Sequence, residues 1–149
     1  DMLDAAAIMA AGDPEVVVVS LGTNDYACAR NAGREAMDQK CGGPLSWEQL
    51  EEDARAMREL FGADVCYLAT TQFRPQEEVG LPNELVHDML EEGSIDAIVD
   101  WRAYLASVPG GLDAAANALV EDDAAGHVNP QGAAAYARVV ADAVDGACR

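Results

Sequence analysis

A chain of 149 residues, half of them hydrophobic, carries enough apolar surface for one folded domain and shows no sign of a second. Its 27 acidic residues against 9 basic ones give a formal charge of -18, which repels nucleic acid and anionic membranes, so neither is expected as a partner. No apolar run approaches the roughly 20 residues of a membrane helix, and Cys28, Cys41, Cys66 and Cys148 lack the paired spacing that holds zinc.

Residues 1–11 are alanine-rich and close at Gly12, which predicts a helix ended by a glycine cap. Gly12-Asp13-Pro14 reads as a turn. Four valines, Val16 to Val19, then announce a buried strand over 15–21, and the polar Gly22-Thr23-Asn24-Asp25 follows directly. Residues 22–45 form a long polar connection, and loops of this length inside compact domains tend to carry function. Cys28 and Cys41 flank part of it and are spaced to staple it, which favours an extracellular setting over the cytoplasm.

Ser46-Trp47-Glu48-Gln49 is a capping box, with Leu45 set to staple onto Leu50. Trp47, Leu50, Ala54, Met57 and Phe61 share one helical face, and Gly62 ends the run. Val65 to Thr70 is the next strand, inside which Cys66 is expected as a buried thiol. Asn83 is expected to cap a helix bearing Leu85, Val86, Met89 and Leu90 that Gly93 stops. Ile95 to Val99 forms the third strand, with Asp100 and Trp101 at its end. The glycine- and acid-rich stretch 105–126 holds a short helix near Asp113 to Leu119. Asn129 with Pro130 launches the last helix, whose apolar side includes Tyr136, Val140 and Val144. Strands alternating with helices predict a parallel sheet covered on both faces, with ligands gathering beyond the carboxyl ends of its strands.

Two stretches carry chemistry. The Asn24 amide, just past a strand tip, can donate to an oxyanion, a contact worth about 3 kcal/mol in a transition state. Gly22 lets substrate approach the backbone closely, although the same residues also suit a plain turn. In "EDDAAGHVNPQG", residues 121–132, His127 stands ahead of the last helix with Asp122 and Asp123 upstream. Histidine takes a proton near neutral pH, and a carboxylate beside it holds its tautomer. His87, among glutamates in mid-helix, is expected to be solvated. A phosphate-binding flavodoxin-like domain is disfavoured, since no glycine-rich loop opens a helix after a strand.

Together these motifs resemble the SGNH, or GDSL-type, hydrolases. These are esterases and acylhydrolases built on a flavodoxin-like three-layer α/β/α sandwich with a parallel sheet. "GTND" at 22–25 matches the family's block after a central strand, whose Asn joins the oxyanion hole. "DAAGHVNPQG" matches its late Asp/His block before the final helix. The resemblance implies His127 as general base, Asp123 or alternatively Asp122 as its orienting acid, Asn24 as oxyanion donor and Gly22 as support. It implies no metal or organic cofactor, and a small-molecule, glycan or lipid ester as substrate.

Two departures accompany the match. The position three before His127 is Ala124, with Asp123 four before, so the Asp-to-His spacing is one residue longer than the family's. The family's Gly-Asp-Ser nucleophile block is missing: Ser20, Ser46, Ser94 and Ser107 all lack its surroundings. The resemblance therefore implies the later part of a hydrolase domain, with two βα units, about 60 residues, upstream of Asp1. Its implied strand order, 2-1-3-4-5, leaves the valine strand with an unpaired edge. That edge predicts poor solubility or partial order for the chain alone. The alternative is a noncatalytic SGNH-like binding module.

Overall fold

The computed structural model describes residues 2–20, 47–72, 76–120 and 127–148. Among the described residues three parallel strands form the sheet: β1 (Val16–Ser20), β2 (Cys66–Thr70) and β3 (Ala97–Val99), ordered β1-β2-β3. Val16 lies opposite Cys66 and Ser20 opposite Thr70, while Leu68 to Thr70 pair with Ala97 to Val99. Strand alternation sends Val17, Val19, Tyr67, Ala69 and Ile98 to one face, and Val16, Val18, Ser20, Cys66, Leu68, Thr70 and Val99 to the other.

Three helices cover the first face: α1 (Met2–Ala10), α2 (Trp47–Glu59) and α3 (Gln76–Glu91). Ala6, Ala54, Met57, Phe61, Leu85, Val86 and Met89 from these segments pack on Val17, Tyr67 and Ala69 in one buried cluster. The expected apolar face of α2 is realised at Ala54, Met57 and Phe61; the capping box at Ser46 falls outside the described residues. Arg58 ties the end of α2 to the β3 approach by donating from Nε to the Ser94 carbonyl at 3.0 Å. Its guanidinium also lies 5.1 Å from the centre of the Tyr67 ring. Arg55 pairs with Glu92 at 2.9 Å, linking α2 to the chain just beyond α3.

Two expected caps are realised differently. The left-handed residue that closes α1 is Asp13 (φ 52°) instead of Gly12, a conformation aspartate tolerates better than most side chains. Asn83 does not cap α3, which begins at Gln76 and runs through the buried Pro82. From inside the helix, Asn83 Oδ1 accepts the Gln72 N–H at 2.7 Å and Nδ2 donates to the Gln72 carbonyl at 3.1 Å. The partner that satisfies this carboxamide is the chain leaving β2. Gly93 does close α3 with a left-handed φ of 73°, as expected.

Among the described residues the remaining helices are α4 (Trp101–Ser107), α5 (Gly111–Leu119) and α6 (Pro130–Ala147). The short α4 continues straight from β3, and the sequence shows no periodicity for it. Its cap is Asp100, whose Oδ1 accepts from Ala103 N–H and from the Thr71 hydroxyl, both at 2.9 Å. Trp101, Leu105, Ala115 and Ala135 make a second, smaller buried cluster joining α4, α5 and α6. Cys66, expected as a lone buried thiol, is instead bonded to Cys148, with Cα atoms 5.5 Å apart. Because Cys66 points to the second face, the bond ties the end of α6 there. Helices thus lie on both faces of the sheet, in an α/β arrangement.

Candidate functional site

His127 is positioned by three devices beside it in the chain. Val128 forms an antiparallel bridge with Val120 at the end of α5. Asn129 caps α6, its Oδ1 accepting from Gln131 N–H at 3.0 Å and Gly132 N–H at 2.9 Å. The same residue clasps α5: its N–H donates to the Leu119 carbonyl and its Nδ2 to the Ala118 carbonyl, both at 2.9 Å. Gly132 then lies against Leu119 so closely that a Cβ would collide with the Leu119 carbonyl and leave Val128 Cβ only 3.1 Å away. Only glycine lets the first turn of α6 sit there.

The exposed imidazole that results faces a cleft of about 240 Å³ at the carboxyl end of the sheet. Ser20 ends β1, Thr70 ends β2, and Thr71 and Gln72 follow; all four line the cleft. Trp101, just past β3, and Tyr136 of α6 complete its wall, ring centres 5.3 Å apart and edge to face. The sheet's strand ends, the start of α4 and the start of α6 thus converge where parallel-sheet proteins bind ligands.

Two hydrogen-bond systems hold the polar floor. Thr71 Oγ1 donates to Asp100 and accepts the Arg102 N–H at 3.1 Å, joining the ends of β2 and β3. Gln72 Nε2 donates to Ser20 Oγ at 2.7 Å, joining the ends of β2 and β1. Other clefts are present among the described residues. One, near 340 Å³, lies between α3 and α4 beside Thr71 and includes the exposed His87. An apolar groove near 180 Å³ runs between α1 and α2 as far as Ser20. The last, near 380 Å³, surrounds the disulfide at the amino end of the sheet.

Of the residues singled out in the sequence, His127 reaches the cleft. Gly22, Asn24, Asp122 and Asp123 lie outside the described residues. Thr71, Gln72 and Trp101 come from the stretches after β2 and β3, where the parallel sheet predicts ligands to gather, while Ser20 and Tyr136 join the site without having been expected in it. One signal was available: Thr70-Thr71-Gln72 leaves a buried strand as a polar run, just as Gly22-Thr23-Asn24 follows the valines. Among the described residues no cluster of His, Cys, Asp or Glu could hold a metal ion, and no helix is long and apolar enough to cross a membrane. Comparison with protein-family models, with curated proteins and with solved structures gives no match.

Proposed function

We propose that this chain belongs to a serine ester hydrolase of the SGNH type. The observation that carries the reading is the meeting of His127 with Ser20, the last residue of β1, in one cleft at the carboxyl rim. Asn24 follows Ser20 by four residues in the sequence. Asp123 stands in the same relation to His127. The layering also supports a flavodoxin-like fold. Parallel strands ordered β1-β2-β3, with α1 to α3 on one face and α6 on the other, suit the 3-4-5 half of a 2-1-3-4-5 sheet.

In this reading a serine attacks the ester carbonyl and His127 takes its proton, then returns it to the departing alcohol. Water repeats the cycle on the acyl-enzyme. Asp123, or Asp122, orients the imidazole, and the Asn24 amide stabilises the oxyanion beside backbone donors. The attacking serine is assigned to sequence outside this chain, since no Gly-Asp-Ser motif occurs in it. The chain alone is then inactive, and the chemistry needs no metal or organic cofactor.

The test supplies the upstream segment and follows hydrolysis of p-nitrophenyl esters of varied chain length. His127→Ala is expected to lower kcat on the order of 10⁴-fold or more. Retained turnover would remove His127 from its role. The missing motif favours one other reading, a noncatalytic SGNH-like binding module, which complete inactivity of the extended wild-type protein would select.

A further inference from the structure

The two ends of the Cys66–Cys148 bond are held differently. Cys66 begins β2 opposite Val16, and its N–H donates to the Glu15 carbonyl at 3.0 Å. Cys148 follows α6, and its N–H donates back to the Val144 carbonyl of that same helix at 2.8 Å. With the bond open, Cys66 stays in the sheet, whereas Cys148 stays only as long as the end of α6 does.

That end of α6 is weak for reasons the sequence makes plain. Earlier in the helix, Ala135 is buried, and Tyr136 and Val139 pack on the second cluster. From Ala141 to Ala147 the least exposed side chains are Ala143, Val144 and Ala147, all half-buried, so one valine is the largest apolar group. Gly146 is a poor helix former, and the space where a Cβ would sit is open for 4 Å, so no close approach requires it. Asp145 stands in the last turn, where the helix dipole disfavours a negative charge, and that turn holds no basic residue.

The bond is also within reach of solvent. Both cysteines are partly exposed and line the cleft of about 380 Å³ at the amino end of the sheet. Accessible disulfides are the ones that exchange readily with thiols. Once the bond is open, a loosely docked helix end lowers the effective concentration of one thiol at the other, which tilts the equilibrium toward the open form.

We propose that Cys66–Cys148 is a redox switch for the last two turns of α6, operated by a dithiol reductant. One thiolate of the reductant attacks a sulfur of the bond, which breaks as a mixed disulfide forms. The second thiol of the reductant then displaces the protein sulfur. The reductant leaves as a disulfide, and two electrons and two protons remain on Cys66 and Cys148 as thiols. The freed turns melt away from the face along which α6 packs on β3, and on which Leu68, two residues after Cys66, is fully buried. The strands and the Asn129 clasp keep their structure. The switch lies at the opposite rim from His127 and requires nothing of the esterase reading.

The test places the 149-residue chain in graded dithiothreitol. Alkylation and peptide mapping give the reduced fraction of Cys66 and Cys148 separately from Cys28 and Cys41, while hydrogen exchange follows residues 141–147 and β2. Reduction should lower protection over 141–147 about tenfold or more, leave β2 protected and raise the fluorescence of an apolar dye. Gly146→Ala should strengthen the helix end and lower the equilibrium constant for reduction about fivefold. Any one of four results would make the bond a plain structural brace and overturn the proposal. These are reduction that proceeds only as β2 loses protection, a reduced chain still protected over 141–147, no gain in dye fluorescence, or a Gly146→Ala equilibrium equal to wild type.

Discussion

The two buried clusters are built on different principles. The first draws large apolar side chains from α1, β1, α2, β2 and α3 around the central Tyr67. The second rests on Trp101, Leu105, Ala115 and Ala135, two of them alanines, and depends on directional contacts for its shape. Those contacts are the Asp100 cap, the Asn129 clasp, the glycine approach at Gly132 and the Cys66–Cys148 bond. Ser20 ends β1 and Gln72 follows β2, the two strands that carry the first cluster, while His127 lies beside Trp101 and Tyr136 of the second, so the cleft stands where the two assemblies meet. Stability and site geometry should therefore respond to different substitutions.

The largest effect is expected from Cys148→Ser. Opening a link across 82 residues should remove about 4 to 5 kcal/mol by the loop-closure estimate. After Ala135 no residue of α6 is fully buried, so hydrogen exchange should speed up in the second half of α6 before it does in β2. Simultaneous loss of protection in both would show that the clusters unfold as one unit, and the comparison would fail. Met89→Ala comes next: its side chain is fully buried in the first cluster, and truncation should cost about 3 kcal/mol in urea unfolding. The His127 NMR signals should barely move in that variant.

Tyr67 provides a pH test of the first cluster. Burial pushes its phenol up to about 12, against a smaller opposing pull from Arg58. The unfolded chain loses this proton near pH 10 and the fold keeps it until about 12, so stability falls as pH rises between the two. The expected loss is about 2 to 3 kcal/mol, read from urea midpoints at about pH 9 and about pH 12. Tyr67→Phe should abolish this component, and an unchanged slope would show that the phenol does not control it. Asn129→Ala is the smallest, about 1 kcal/mol from the lost cap. It should nevertheless displace the His127 signals more than Met89→Ala does, since it cuts the clasp two residues away. A reversal of that order would place the histidine under the control of the first cluster.

What the sequence reveals depends on how far apart the partners are. The Asn129 cap is legible because its acceptor meets N–H groups two and three residues on. Asn83 looks equally suited to capping, yet its partner is Gln72, eleven residues upstream, and no local pattern announces that pairing. The short α4 has too few turns to show a period, and the Cys66–Cys148 bond joins residues 82 apart in the sequence that only folding brings together. At the site, His127 is legible from its chemistry and its place before a helix. Gln72 and Ser20 become meaningful only once β1 lies beside β2.

The disulfide and the Asn129 clasp together fix the length of α6. A helix turns about 100° per residue, so one insertion between Pro130 and Ala147 would swing Cys148 away from Cys66. Adding two whole turns would restore the direction but carry the thiol roughly 10 Å past its partner. This segment can exchange residues along its solvent side but has no freedom to grow or shrink. The span from the histidine's neighbour to the last cysteine acts as a ruler of set length between the two rims of the sheet.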